Sequence, residues 1–253
     1  MKGTIVAILR YPVKGMTPEP MEAVTLARGQ GLPGDRSWGF LRAGHEAAGA
    51  PIPKDRFVVL QNEAGMARLK AWLEDGDRLV IADEAAARSF DLADIAEREA
   101  AAAFVADTLG LAERPSLIPA GSGRFTDVSV VSPELMNAVS ILSRETVAAF
   151  AAEADAAVDP RRFRMNVEVE GWTPWAEMEA VGRTVALGTA RLRVLLRTRR
   201  CAATEVDPDT AKRDLKIPVM LRRQRGHFDM GVYAEVIEGG TFRRGDDAVL
   251  DPP

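Results

Sequence analysis

The only cysteine of the chain lies in the stretch RTRRCAATEVDPD, residues 197–209. Cys201 follows an apolar, strand-like run and precedes a polar turn that contains a proline. Arg197, Arg199 and Arg200 lie beside it in the sequence. Nearby guanidinium charge favours a thiolate over a thiol, and a thiolate is a nucleophile or a soft metal ligand. The alternative is a small buried side chain with a structural role only.

The composition is that of an ordinary globular protein. Hydrophobic residues make up 47% of the 253 residues and charged residues 28%, which suits one large domain or two small ones. The formal net charge of −4 gives no overall case for binding nucleic acid or an anionic membrane. A single cysteine excludes an intrachain disulfide framework and fits a reducing compartment. The apolar run near Met1 ends at Arg10, too short for a signal-peptide core, so we expect a cytoplasmic protein.

Short apolar runs separated by turn residues recur along most of the chain. Such spacing favours a β-barrel or a β-sandwich over repeated βαβ units. The predicted strands are residues 4–9, 21–26, 37–41, 57–60, 78–82, 116–119, 163–170, 184–187, 190–196, 231–237 and 248–250. Helical spacing or helix-start signals mark residues 64–73, 95–111, the segment from 132, and 143–154. We predict a loop at 45–54 and hairpin turns at Gly239-Gly240 and Gly245-Asp246.

Two basic residues in loops are candidate anion contacts. Lys14 sits in a Pro-Val-Lys-Gly turn after the first strand, where flexible backbone lets an ammonium group meet a phosphate. A solvated loop lysine is the alternative. Arg36 follows a glycine-rich approach and the neighbouring Asp35. This pair forms either a local salt bridge or a site in which Asp35 orients Arg36 toward an anionic ligand.

Arg164 and Asn166 lie two residues apart in the alternating segment 163–170. In a strand both side chains point to the same face, where a guanidinium and an amide can hold a phosphate or the edge of a heterocycle. An exposed strand face is the alternative. His45 and His227 are too far apart in the sequence to suggest a metal pair, and either one fits a loop.

Five segments in consistent order resemble the MOSC family, named for the C-terminal domain of molybdenum cofactor sulfurases. They are YPVKG at 11–15, GLPGDR at 31–36, DPRRFRMN at 159–166, CAATEVDPDT at 201–210, and the run at 231–246. The resemblance implies a mainly β fold with peripheral helices, in which a MOSC β-barrel similar to the pyruvate kinase barrel follows a smaller β-barrel-like module. We therefore predict an N-terminal module at 1–90 and a MOSC domain at 91–253, with a helical insert at about 95–158.

The resemblance also implies a cofactor, molybdopterin carrying molybdenum. In the amidoxime-reducing members of the family, the cysteine at the position of Cys201 ligates molybdenum, and basic residues hold the phosphate and ring of the pterin. The implied metal ligand and catalytic residue is therefore Cys201. The implied cofactor contacts are Lys14, Arg36, Arg164, Asn166, Arg199, Arg200 and Tyr233. A soft thiolate for the metal and cations for the phosphate agree with the chemistry of the residues themselves.

Three positions depart from the family pattern. Gly15 stands where many relatives have a serine, Met165 where proline is common, and Arg199 where a small polar residue is usual. These changes concern the cofactor contacts and leave the fold prediction intact. The chain ends at Pro253 without a cysteine-rich, ferredoxin-like tail, so we expect electrons from a separate protein.

Three functions are compatible with these residues. The first is a molybdenum-cofactor oxidoreductase that reduces small N-hydroxylated compounds with an external electron donor. The second is a sulfur carrier with a persulfide on Cys201, because a stabilised thiolate suits both chemistries. The third is a cofactor-binding module without activity, or a module that binds another anion. We expect no nucleic acid or membrane as a partner and no pyridoxal phosphate as a cofactor.

Overall fold

Fifteen strands and three α-helices make up the described part of the computed structural model, residues 1–46, 52–128 and 132–252. The strands are β1 (Lys2–Arg10), β2 (Glu19–Pro20), β3 (Ala23–Leu26), β4 (Trp38–Leu41), β5 (Lys70–Glu74), β6 (Arg78–Ala82), β7 (Ala87–Asp91), β8 (Ser116–Pro119), β9 (Val139–Ser143), β10 (Val167–Glu170), β11 (Thr184–Leu187), β12 (Ala190–Arg199), β13 (Asp229–Glu238), β14 (Gly240–Arg243) and β15 (Asp247–Leu250). The helices are α1 (Ile95–Leu109), α2 (Arg144–Ala154) and α3 (Ile217–Arg225). No helix in these described ranges is long and apolar enough to cross a membrane.

Seven of the strands close into a barrel in the order β10–β9–β13–β12–β11–β15–β1, and β1 pairs back to β10. Neighbours in the ring are antiparallel except β9 and β10, which run parallel. Strand β2 pairs with the end of β1. Closure removes the edges that an open sheet would expose. The predicted mainly β fold, with a barrel and peripheral helices, is confirmed.

Aliphatic side chains fill the barrel because they alternate along its strands. On β12, Ala190, Leu192 and Val194 are buried, whereas Arg191 and Arg193 between them are not. This period of two is typical of a strand with one face on a core. The other six barrel strands also contribute buried aliphatic residues to the same cluster. Each fully buried side chain of this kind stabilises the fold by about 1.5–3 kcal/mol.

A second group of strands lies beside the barrel. β5, β6 and β7 form an antiparallel sheet, and β4 pairs with β8. Helix α1 packs on β7 and β8, with Ala101 and Val105 buried. The helix begins at Asp94, whose carboxylate accepts a hydrogen bond from the Ala96 N–H at 2.8 Å. It ends at Gly110 in the left-handed conformation, a common helix C-terminus.

The two halves of the chain share strands. β1 lies in the barrel between β15 and β10. Strand β14, which follows the barrel strand β13, pairs with β3 outside the barrel. The division into modules at residue 90 stays a prediction. Because β1 sits beside β10, the loop that follows β1 comes close to C-terminal segments that are more than a hundred residues away in sequence.

Three local elements differ from their predictions. Residues 57–60 form no strand, and Phe57 makes only an isolated bridge to Leu41. Segment 64–73 is a short 3-10 helix, Ala64–Arg68, followed by β5. Pairing of β5 with β6 overrides the helical spacing, because cross-strand contacts decide such short apolar runs. The helix start at 132 leads only into a 3-10 helix, Pro133–Asn137.

Neither predicted hairpin turn joins a pair of hydrogen-bonded strands. After Gly239-Gly240 the chain continues into β14, which pairs with β3 and not with β13. After Gly245 it continues into β15, which pairs with β1 and β11. Long-range pairing therefore replaces the local pairing that the glycine pairs indicated. In the predicted loop at 45–54, residues 47–51 lie outside the described residues.

Candidate functional site

One pocket brings together all eight residues that the resemblance implied. They come from the loop after β1, the turn before β4, the turn before β10, the end of β12 and the middle of β13, and they are Lys14, Arg36, Arg164, Asn166, Arg199, Arg200, Cys201 and Tyr233. Seven lysine or arginine residues and one aspartate, Asp127, line this pocket. We call it the basic pocket. Such an excess of cations suits a ligand with several negative charges.

Cys201 lies directly after β12, where the chain leaves the barrel. Its backbone is extended, and it precedes the 3-10 helix Ala202–Glu205. The Cys201 carbonyl accepts hydrogen bonds from the Thr204 N–H at 3.0 Å and the Thr204 hydroxyl at 2.9 Å. These bonds hold the turn, so the half-buried free thiol faces the basic pocket from a fixed backbone.

The three arginines near Cys201 point to different places. Arg197 pairs with Glu179 at 2.8 Å and is not part of the pocket lining. Arg199 is exposed, and its guanidinium lies 4.8 Å from the centre of the Phe228 ring. Arg200 turns inward and donates a hydrogen bond to the Met230 carbonyl at 3.2 Å. Of the three charges, the one on Arg200 is the most buried.

Arg200 and Thr198 carry buried polar atoms without partners in the described ranges. Burial lowers the pKa of Arg200, although an arginine stays charged at neutral pH. Its Nε and the Thr198 hydroxyl are buried, and the described residues offer neither of them a hydrogen bond. Each such atom costs about 1–3 kcal/mol when it stays unpaired. Both residues line the basic pocket, so the lining fits a ligand that accepts hydrogen bonds.

Two arginines stack on the ring of the same buried tyrosine. The guanidinium carbons of Arg36 and Arg164 lie 4.5 and 4.4 Å from the centre of the Tyr11 ring. Arg36 also donates to the Arg164 carbonyl at 2.9 Å, which fixes the two side by side. The Tyr11 hydroxyl donates to the Met165 carbonyl at 3.3 Å. Tyr11 therefore serves as the platform for two of the predicted cofactor contacts.

The two stacked arginines differ in electrostatic environment. Burial lowers the pKa of Arg164 to about 10, and it donates to the Met16 carbonyl at 2.7 Å. Burial acts in the same direction on Arg36, but the Asp35 carboxylate, 2.5 Å from Nη1, outweighs it and raises the pKa of Arg36. The predicted Asp35–Arg36 salt bridge therefore exists, and Arg36 faces the pocket as well.

The predicted alternating strand over residues 163–170 is present only in its second half. The strand begins only at Val167, and Glu168 on its supposedly exposed face is buried. Arg164 has the left-handed φ of +54°, as does Arg36 at +50°. Both arginines thus adopt a conformation that non-glycine residues rarely take, at positions that line the pocket. Arg164 and Asn166 meet the pocket through this turn and not through a strand face.

Lys14 is buried and held by oxygen atoms. Its ammonium lies 2.7 Å from the Asp127 carboxylate and 2.9 Å from the Phe125 carbonyl. Burial alone would raise the pKa of Asp127, but the paired Lys14 lowers it well below its usual range. Gly15 has φ +94°, and a side chain there would meet the Val59 Cα at 3.0 Å. A serine would be strained in this backbone, which accounts for the departure from the family pattern.

The Asn166 side chain forms hydrogen bonds with two barrel strands, β9 and β1, at the edge of the pocket. Its side-chain oxygen accepts from the Ser140 hydroxyl at 2.8 Å, and its amide nitrogen donates to the Leu9 carbonyl at 3.1 Å. The amide has one further N–H that can serve a ligand. Tyr233 lies on β13 opposite Leu196. Burial raises the pKa of Tyr233, so its hydroxyl keeps its proton at neutral pH.

The sequence analysis missed several further lining residues, among them Lys54, Asp127, Arg162 and Thr198. Arg162 was quoted within the DPRRFRMN segment without a role, and it forms ion pairs with Asp207 at 2.9 Å and Asp214 at 2.8 Å. Thr198 could have been found from strand alternation, because it lies on the inward side of β12. Lys54, at the start of a 3-10 helix, and Asp127 carry no local signal in the sequence.

The described residues contain no group of three or more His, Cys, Asp or Glu side chains that could hold a metal ion. The Cys201 thiol is the soft ligand that this pocket lining offers to a metal.

One region of the chain matches a known protein family. Residues 127–249 match the family model described as the MOSC domain. None of the curated protein sequences matches the chain. Among solved structures, YuaD from Bacillus subtilis is similar over 98% of this chain and 94% of that chain, with 14% identity and a TM-score of 0.46.

Two YiiM structures match a smaller part of the chain. YiiM from Geobacillus stearothermophilus covers 45% of this chain and 54% of its own, with 17% identity and a TM-score of 0.35. YiiM from Escherichia coli covers 46% and 54%, with 20% identity and a TM-score of 0.33. Cys201 lies inside the region that matches the family model, whereas Lys14 and Arg36 precede it. The chain contains a MOSC domain, which spans residues 127–249.

Proposed function

We propose that the basic pocket binds a molybdopterin-type molybdenum cofactor and that the protein reduces small N-hydroxylated compounds. The observation that carries the proposal is the convergence of Cys201 with cationic side chains from distant parts of the chain. MOSC domains are associated with proteins of the molybdenum cofactor, which makes an anionic pterin the first ligand to test. The unpaired Thr198 hydroxyl and Arg200 Nε support a ligand rich in hydrogen-bond acceptors.

Each pocket residue has a defined task in this proposal. The Cys201 thiolate would ligate molybdenum. Arg36 and Arg164, already fixed on Tyr11, would hold the phosphate and ring, and Arg200 would donate from Nε. These groups are oriented before binding, so little side-chain entropy is lost when the ligand arrives.

When bound, the cofactor supplies a metal centre that delivers two electrons to the N–O bond of the substrate. The overall reaction is R–NHOH + 2 e⁻ + 2 H⁺ → R–NH₂ + H₂O. The chain itself contributes binding and protons. The Tyr233 hydroxyl keeps its proton at neutral pH and lines the same pocket, so it can donate a hydrogen bond to the substrate oxygen. Electrons would come from a separate protein in a reducing, cytoplasmic setting.

The test is the metal and pterin content of protein purified from a host that makes the cofactor. We expect molybdenum and pterin in near-equal amounts in the wild type and a loss of molybdenum in Cys201→Ser. Elemental analysis and the fluorescence of oxidised pterin measure the two quantities. The conservative variant Thr25→Ser, at an exposed position on β3, is the matched control and should retain both. Wild-type protein without molybdenum and pterin would contradict the proposal.

A sulfur carrier is the second candidate, because the half-buried Cys201 thiol is free and faces an open pocket. In this function, a cysteine desulfurase would transfer a sulfur atom to Cys201 as a persulfide. Mass spectrometry of the intact protein should then show the mass of one extra sulfur, which a thiol reductant removes and Cys201→Ser lacks. An unmodified thiol after incubation with a desulfurase and cysteine would count against this candidate.

A further inference from the structure

Three exposed arginines form a positively charged surface next to the basic pocket. They are Arg199 at the end of β12 and Arg222 and Arg223 in the last turn of α3. We call this surface the arginine face. Within the described ranges none of the three takes part in an ion pair, whereas their neighbours Arg197 and Arg225 pair with glutamates. The arginine face thus carries local positive charge on a chain whose net charge is −4.

The Phe228 ring connects this face to the pocket. The guanidinium of Arg199, which lines the pocket, lies 4.8 Å from the ring centre, and that of Arg222 lies 5.8 Å from it. The face is therefore continuous with the rim of the pocket that holds Cys201. Val219 on the same helix is 61% exposed and adds an apolar contact.

Helix stability accounts for only part of this arrangement. A cation in the last turn of α3 interacts favourably with the helix dipole, and Arg222 also donates to the Gly226 carbonyl. Arg199 belongs to a strand, however, and Arg223 has no contact of this kind in the described structure. The Asp229 carboxylate, opposite Arg199 in the strand register, offsets one positive charge. Arg222 and Arg223 on α3 supply the remaining positive charge of the arginine face.

We propose that the arginine face docks an acidic one-electron carrier, of the [2Fe–2S] ferredoxin class, that delivers electrons to the basic pocket. The inference rests on the proposed reductase function, which consumes two electrons per substrate and needs two reduced carriers for each turnover. Complementary charge steers such a partner to the face and raises the association rate, with strong dependence on ionic strength. The position beside the pocket rim keeps the route for electrons short.

The experiment compares two electron donors on the cofactor-loaded protein. A reduced, acidic plant-type [2Fe–2S] ferredoxin must dock, whereas reduced methyl viologen, a small cation, needs no docking surface. The double variant Arg222→Glu/Arg223→Glu should lose about tenfold to a hundredfold in kcat/KM for the ferredoxin at low ionic strength, with the viologen-driven rate unchanged. Arg28→Glu, an exposed arginine on the loop after β3, is the control and should behave as the wild type.

Added salt gives a second readout. The ferredoxin-driven rate of the wild type should fall as the salt concentration rises, and that of the double variant should barely respond. Equal ferredoxin kinetics in the double variant and the Arg28→Glu control overturn the docking proposal. A loss with both donors also overturns it, since the arginines would then support the pocket itself. If wild-type protein shows no viologen-driven reduction of an N-hydroxylated substrate, the proposed function fails, and calorimetric titration of ferredoxin into both variants still decides whether the face binds it.

Discussion

The two sides of the basic pocket handle buried charge differently. On the N-terminal side, each buried cation has a carboxylate: Lys14 pairs with Asp127 at 2.7 Å, and Arg36 pairs with Asp35 at 2.5 Å. On the barrel side, Arg162 pairs with Asp207 and Asp214, but Arg164 and Arg200 are held by backbone carbonyls, and no ion pair to these two is found among the described residues. Burial accordingly lowers the pKa of Arg164 and of Arg200.

This difference indicates which buried cations the protein itself neutralises and which ones a bound anion would neutralise. A buried ion pair satisfies its own charges, and its rupture leaves one charge uncompensated. A buried cation that donates only to backbone carbonyls is stabilised less than one that is paired with a carboxylate. An anion that binds from solvent supplies the missing negative charge. We therefore expect the N-terminal side to act as scaffold and the barrel side to dominate anion affinity.

Asp35→Asn should have the largest effect on stability. The substitution leaves the Arg36 charge buried without its carboxylate and weakens the acceptor for the Tyr11 N–H, which is 2.8 Å from Asp35. We expect a loss of about 3 kcal/mol in the free energy of unfolding, measured by urea denaturation at pH 7. The exposed Glu113→Gln is the control and should change stability little. A loss as small as the control's would show that the ion pair is not structural.

Glu177 tests the same idea, because this buried acid forms no ion pair among the described residues. It is buried, accepts from the Thr146 hydroxyl at 2.8 Å and from the Ser143 N–H at 3.2 Å, and burial raises its pKa to about 7. Asp127, beside Lys14, shows the opposite shift. The pKa of Glu177 is therefore higher in the folded protein than in the unfolded chain. Its contribution to the free energy of unfolding is fully present below the unfolded pKa, and it is lost as the pH rises through about 7.

Glu177→Gln should remove that pH dependence. We expect the variant to gain about 2 kcal/mol over the wild type at pH 8 and little at pH 4.5, where the wild-type carboxyl is protonated in the folded protein. Urea denaturation across this pH range measures the difference. If the difference in free energy of unfolding between the two proteins were the same at every pH, the Glu177 carboxyl would not be the source of the pH dependence.

Arg200→Met tests the barrel side directly. Methionine keeps the bulk but removes a buried charge that lacks a carboxylate, so the fold should lose little stability or none. Binding of inorganic pyrophosphate, used as an anionic probe and followed by calorimetry, should weaken about tenfold, or about 1.4 kcal/mol. Lys14→Met should instead destabilise the fold, because it leaves Asp127 with only its longer ion pair to Lys54, at 3.8 Å. The comparison fails if both variants lose affinity and stability to the same extent.

Thr198→Val should have the smallest effect. Valine has the same shape and removes a buried hydroxyl that has no partner in the described ranges, so the ligand-free protein should be unchanged or more stable by less than about 1 kcal/mol. If the hydroxyl serves a ligand, pyrophosphate or cofactor affinity falls by a few-fold. Unchanged affinity, measured by the same calorimetry, would place the hydroxyl outside the binding site.

Much of the fold and the membership of the pocket could be predicted from the sequence. Strand runs such as 184–187 and 231–237 lie inside β11 and β13, because two-fold alternation survives wherever a strand faces a core. Cys201, Lys14 and Arg36 were found because turn residues and charges mark them locally. Arg164 was found for a wrong reason, since its left-handed turn has no signal in an alternating pattern.

The sequence by itself determined the residue types of the site: one thiol, several cations and the glycine turns that let backbone approach them. Only the tertiary structure decided which charges are paired and which are not. The Tyr11 platform, the Lys14–Asp127 pair and the outward turn of Arg199 all depend on contacts across more than twenty residues. Such contacts follow from barrel closure, which brings β1 to β10, and burial then sets the electrostatic character of each side chain.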